Sequence, residues 1–175
     1  LKRITTKCNK KRRDRNIKKK YLALAGRMKS ELDDIEEIVA KINNGWEKYL
    51  KNSDELYLDS VALNLHDYYS AVERIFELIA REIDESIPQG ASWHKDLLSQ
   101  MSVEIKNSRQ KVISKESRKR IDEYRGFRHI VRNVYTYKFS SEKIKILVED
   151  LDEVNNKLLT EIEDFIDFLE KSSYE

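Results

Sequence analysis

The sequence predicts an all-α fold, an up-and-down bundle of four to five helices. Three observations predict it. Four glycines and one proline, Pro88, are spread over 175 residues. That is too few breakers for an all-β chain, which needs many turns. Apolar residues recur at three- and four-residue spacing over long stretches, which sets them on one face of a helix. Short polar links with capping residues separate the stretches, as expected between antiparallel helix neighbours.

The first helix is predicted from about Lys29 to Leu50, with Leu32, Ile35, Val39, Ile42, Trp46 and Tyr49 as its buried stripe. After the break Asn52-Ser53-Asp54, either Ser53 or Asp54 can cap the second helix by accepting its free N–H groups. That helix, from about Glu55 to Ile87, carries Leu58, Val61, Leu65, Tyr68, Tyr69, Val72, Ile75, Phe76, Ile79 and Ile83. They cover more than one face, so it is central or shared with a partner subunit. Pro88, Gly90 and Ser92 end it in a loop. A shorter helix runs from Trp93 to Ile105, and 107–113 reads as a polar linker. Ser114 caps a fourth helix, Lys115 to about Tyr135, stripe Ile121, Tyr124, Phe127, Val131 and Val134. After a loop at 136–139, Ser140 or Ser141 caps a last helix to about Lys171. Its stripe, Ile144, Leu147, Leu151, Val154, Leu158, Ile162, Phe165 and Leu169, has heptad-like spacing.

Composition excludes several functions. No run of ~18 apolar residues spans a membrane, and no apolar N-terminal stretch resembles a secretory signal; a cytoplasmic location is expected. Cys8 is the lone cysteine, which leaves no internal disulfide and no cysteine-rich zinc site. His66, His94 and His129 are scattered, and no Glu-x-x-His pair suggests a di-iron centre. Neither standard glycine loop for phosphates occurs. No metal or cofactor is expected.

The formal charge of +2 hides a polar distribution. Residues 1–20 hold 11 Lys/Arg and one acid, Asp14. With almost no apolar content, residues 1–27 are expected to be a basic arm, disordered or a frayed extension of the next helix. The arm is either a nucleic-acid-binding tail or the product of a start placed upstream of Met28. Residues 28–175 form the helical domain. Within it, 106–138 hold 11 Lys/Arg against Glu116, Asp122 and Glu123, while the rest of 28–175 has 11 basic and 28 acidic groups. Such a segment either meets something anionic or packs on the acidic helices of its own fold.

The densest chemistry lies in 124–137. At ~100° per residue, Arg125, His129 and Asn133 form one ridge of the fourth helix. Arg128, Arg132 and Tyr135 form a second ridge close by, with Ile130, Val131 and Val134 turned to the core. Such a face binds an RNA phosphate, through Arg125 and Arg132 among others, and includes a group that titrates near neutral pH. A histidine and arginines satisfied by acidic neighbours is the plain alternative. Gly126 inside the helix costs ~1 kcal/mol relative to alanine, which suggests close approach of a ligand or backbone, or a packing need. His66 and Asp67 read as a surface or core pair, and Trp93 beside His94 as an anchor at a loop junction.

The run Phe127-Arg128-His129-Ile130-Val131-Arg132-Asn133-Val134-Tyr135 resembles the signature of the HEPN superfamily, in particular its HepT-like branch. That signature is an arginine, a following polar residue, a histidine after four to six positions and, in HepT-like proteins, a tyrosine two residues later. The resemblance extends over about 28–172, including the 66–82 segment. It implies an all-helical homodimer that brings two motif helices together as a metal-independent ribonuclease, often a toxin. It also implies a small nucleotidyltransferase-fold antitoxin as partner, which can adenylylate the motif tyrosine.

By position, Arg128 matches the family arginine, His129 the polar residue after it, and Tyr135 the tyrosine and modification candidate. Asn133 stands where the histidine belongs, and asparagine exchanges no proton near neutral pH. His129 and Asn133 look exchanged along one ridge, a shift of ~6 Å. Three readings follow. One is a ribonuclease with Arg128, His129 and Asn133 in its catalytic site. The second is a degenerate module that pairs with a nucleotidyltransferase or binds RNA without cleaving it. The third is a helical interaction protein with no such chemistry.

Overall fold

The computed structural model of the chain describes residues 2–106, 108–133 and 139–173, with side chains described from Asn16 onward except that of Asn133. Five helices follow in order: α1 (Lys2–Asn52), α2 (Glu55–Glu82), α3 (Trp93–Met101), α4 (Lys115–Asn133) and α5 (Ser141–Ser172). No strand occurs among the described residues, and no helix is long and apolar enough to cross a membrane. The all-α bundle is the fold that periodicity predicts.

The caps resolve the alternatives. The Asp54 carboxylate accepts from the Leu56 N–H at the start of α2. Ser114 accepts from Ser117 N–H before α4, and Ser140 from Lys143 N–H before α5. Each occupies a donor that the first helical turn leaves without an intrahelical partner.

The apolar face of α2 covers so much of its circumference that α2 contacts all four other helices. It runs antiparallel to α1: Lys20 pairs with Glu82, Arg74 with Glu31, and Gly45 sits opposite Val61. A Cβ on Gly45 would lie 2.9 Å from Val61 Cγ2, so only glycine lets the two helices approach so closely. α5 packs antiparallel to α1 through Lys29–Glu170 and Asn43–Asp152. It packs antiparallel to α4 through Arg120–Asp150 and the Tyr124 hydroxyl, which donates to Leu147 C=O.

Four boundaries differ from the sequence expectation. α1 is helical from Lys2, through the segment read as an arm, and Leu24 and Ala25 are already core residues ahead of position 28. α2 stops at Glu82 rather than near Ile87. Ile83 N–H still bonds Ile79 C=O, but Glu85 takes a left-handed φ of 51° and Ser86 N–H turns back to Ala80 C=O, a helix-terminating arrangement. α3 ends at Met101 instead of Ile105. The stretch read as a polar linker is anchored: Val112 and Ile113 are buried, and their N–H groups both bond Met101 C=O.

The anchor is an ion pair. Arg109 and Asp84 are buried, joined by two 2.7 Å hydrogen bonds in the bidentate geometry that suits a guanidinium. Arg109 also donates to the carbonyls of Gln100, Val103 and Gln110. Gln100 Nε2 donates to Asp84 at 2.6 Å and to Ser86 C=O at 3.0 Å. The segments on both sides of α3 are thereby fastened to its C-terminal end. Removing one member leaves the other charge buried and alone. Arg109→Ala is expected to lower the unfolding free energy by about 3–5 kcal/mol, read by urea denaturation.

Candidate functional site

α2 is mostly apolar where it meets α3 and α4, but one charge is set in that surface. Glu73 lies between Tyr69 and Phe76, and its side chain is 5% exposed. A carboxylate in that position needs cationic or hydrogen-bonding partners. It receives them from two helices. His94, in the first turn of α3, hydrogen-bonds through Nδ1 to Glu73 Oε1. Arg128, from the middle of α4, sets Nη2 3.4 Å from Glu73 Oε2.

Arg128 is held from several directions. Its Nε donates to Ser70 Oγ at 3.2 Å. The Ser70 hydroxyl in turn donates to His66 C=O at 2.9 Å. Its Nη1 lies 3.5 Å from His94 Nε2, and the guanidinium carbon lies 5.8 Å from the centroid of the Tyr69 ring. Burial, and then the Glu73 carboxylate, push the Tyr69 hydroxyl well above the usual phenol range. The Trp93 ring lies against that of His94, centroids 3.7 Å apart, and packs on the core as the expected anchor.

For a neutral ring these contacts favour one tautomer. A guanidinium has only donors, so the nitrogen facing it accepts, and the proton of a neutral imidazole sits on Nδ1 towards the carboxylate. In that tautomer the acceptor Nε2 of His94 lies beside the guanidinium of Arg128.

The α4 residues singled out by sequence separate into three groups. Arg128 faces inward, towards its own chain's carboxylate. Arg125 pairs at 2.6 Å with Asp122, one turn earlier, and that hydrogen bond raises its affinity for the proton. His129 and Arg132 are exposed. Asn133 is the last residue of α4, its side chain outside the described residues, as is the whole of Tyr135. Ile130, expected to face the core, is 36% exposed; Ile121, Tyr124 and Phe127 already fill the inward stripe. His66 pairs with its neighbour Asp67 at 3.0 Å, half-buried, and reaches the site through its carbonyl.

Sequence did not single out Glu73, and it noted His94 only as the neighbour of an anchoring tryptophan. The available signal was a charged residue inside the apolar stripe of the central helix. A charge there requires a partner, but nothing in the sequence says which. Among the described residues, no cluster of His, Cys, Asp and Glu is arranged to hold a metal ion.

A family model described as HepT-like protein matches residues 60–169, from α2 to the end of α5. The match spans Ser70, Glu73, His94 and Arg128 together. No curated protein and no solved structure matches the chain.

At Gly126 a Cβ would meet nothing within 4 Å among the described residues, so no neighbouring backbone or side chain among them accounts for the glycine. Gly126→Ala is expected to stabilise the fold by about 0.5–1 kcal/mol, seen as a higher urea midpoint.

Proposed function

The chain belongs to the HepT-like protein family, and from that premise we propose that it is the HepT-like component of a toxin–antitoxin type pair. It acts in the cytoplasm as a metal-independent endoribonuclease at a cleft between two copies. The observation that carries this reading is the fixed guanidinium of Arg128 beside the exposed His129 and Arg132 on the same stretch of α4.

RNA cleavage without a metal needs a base for the 2′-hydroxyl, an acid for the departing 5′ oxygen and positive charge on the phosphate. Three of the five N–H groups of Arg128 are engaged by Ser70, Glu73 and His94, which orients the two others for a phosphate. His129 supplies a proton-transfer group one residue away. Arg125 and Arg132 add charge along the RNA backbone. Asn133 orients the substrate by hydrogen bonds, since its amide exchanges no proton. The partner is a small nucleotidyltransferase-fold antitoxin. An AMP group transferred to Tyr135 would bring negative charge and bulk to the phosphate path and close it.

A second reading has its own observation. Arg128 is ion-paired with Glu73 of the same chain, and Asn133 replaces the motif histidine. Both favour a module that binds RNA or the antitoxin without cutting.

Cleavage of single-stranded RNA in EDTA by the purified chain separates the two. The ribonuclease reading expects Arg128→Ala and His129→Ala each to slow cleavage by about 100-fold or more. RNA binding that weakens with salt, with no cleavage by the unaltered chain, selects the binding module.

A further inference from the structure

We propose that His94, held by Glu73, is the general base of this site, the proton acceptor that the altered motif lacks on α4. The inference rests on the ribonuclease reading and adds a residue from a different helix. α4 carries one imidazole, His129, and cleavage through the 2′-hydroxyl needs two proton transfers. Asn133 can perform neither.

The geometry of His94 is that of a base. Its Nδ1 proton is directed at a buried carboxylate, which fixes the ring and stabilises the imidazolium that forms when Nε2 takes a proton. Its Nε2 accepts, and lies 3.5 Å from Arg128 Nη1. That is the long limit of a hydrogen bond, so an arriving phosphate draws the guanidinium to itself and leaves the lone pair to the neighbouring 2′-hydroxyl. The base and the phosphate-binding cation are thus adjacent before substrate arrives, as a 2′-hydroxyl on the carbon next to the phosphate-bearing one requires.

Two charged groups contact His94, Glu73 from α2 and Arg128 from α4, and Trp93 of its own helix lies beside the ring. The side chain is 22% exposed.

The step balances as an internal transfer. The O2′–P bond forms and the P–O5′ bond breaks. The 2′ proton passes to His94 Nε2, and the leaving 5′ oxygen takes a proton from His129. The products are a 2′,3′-cyclic phosphate and a free 5′-hydroxyl. Water later returns both imidazoles to their starting states. Glu73 touches no substrate and is a positioning residue that acts through His94.

The experiment uses the full chain and a single-stranded RNA oligonucleotide in EDTA, with the melting of each variant recorded. His94→Asn keeps an N–H for Glu73 but removes the base. It is expected to lose cleavage by about 100-fold or more while RNA affinity changes little. His94→Ala is expected to recover part of its rate with added imidazole. Glu73→Gln is expected to lower kcat more than it changes KM, with no recovery by imidazole. Wild-type cleavage in His94→Asn, with Arg128→Ala inactive, overturns the assignment of the base and leaves the ribonuclease reading standing. Absence of cleavage by the unaltered chain overturns both. If His94→Asn melts too low to assay, imidazole rescue of His94→Ala decides: rescue upholds the base, and none overturns it.

Discussion

One buried carboxylate governs how three helices meet. Glu73 sits on the face of α2 that α3 and α4 cover. An ion taken out of water costs several kcal/mol unless partners surround it. The partners are His94 of α3 and Arg128 of α4, so neither helix can rotate or slide on α2 without exposing the charge to an apolar wall. Apolar packing alone tolerates small changes of register, because one methyl contact resembles another. A carboxylate with two named partners tolerates none, and in this way Glu73 specifies the orientation of α3 and α4 while adding little net stability.

α3 shows why that matters. Nine residues make too short a helix to persist alone in water. It is pinned at both ends by charge. His94 binds Glu73 at its start, and Gln100 binds Asp84 while its carbonyl receives Arg109 at its end. Between these ends Leu97, Leu98 and Met101 enter the core. The imidazole is therefore carried on an element fixed at two points, the condition for holding a functional group within a fraction of an ångström. The second ion pair, Asp84–Arg109, bears on the site through this positioning.

Much of the fold was legible because it is written locally. The stripes of α2, α4 and α5 are three- and four-residue periodicities, and Asp54, Ser114 and Ser140 cap where short polar side chains precede apolar repeats. What was not legible depends on partners distant in sequence. Arg109 looked like one more cation in a polar linker; it is buried because Asp84 waits 25 positions earlier. Arg128 looked like part of an exposed cationic ridge; it faces inward because Ser70 and Glu73 lie 58 and 55 positions before it. α2 ends early through a left-handed residue, Glu85, that no propensity marks. The motif segment was recognisable as a string, but the string holds the arginine without the carboxylate and imidazole that surround it.

The charge asymmetry between the acidic body and the basic stretch 106–138 has a two-part resolution. Its arginines turn inward or pair within the chain: Arg109 with Asp84, Arg120 with Asp150, Arg125 with Asp122 and Arg128 with Glu73. Its lysines at 106, 111, 115 and 119 point to solvent, as does Arg132. The division follows from the groups themselves. A planar, weakly hydrated guanidinium loses less on desolvation and matches a carboxylate edge; a compact ammonium keeps its water. The consequence is a separation of tasks. An exposed ammonium acts on any polyanion over a range set by salt, about 10 Å at 0.1 M, without orienting it. A guanidinium already oriented by Ser70, Glu73 and Tyr69 loses little freedom when a phosphate docks, so it contributes geometry rather than attraction. The proposed ribonuclease would need both tasks and a module that binds without cutting only the first; the oriented guanidinium owes its position to the buried Glu73 of the central helix.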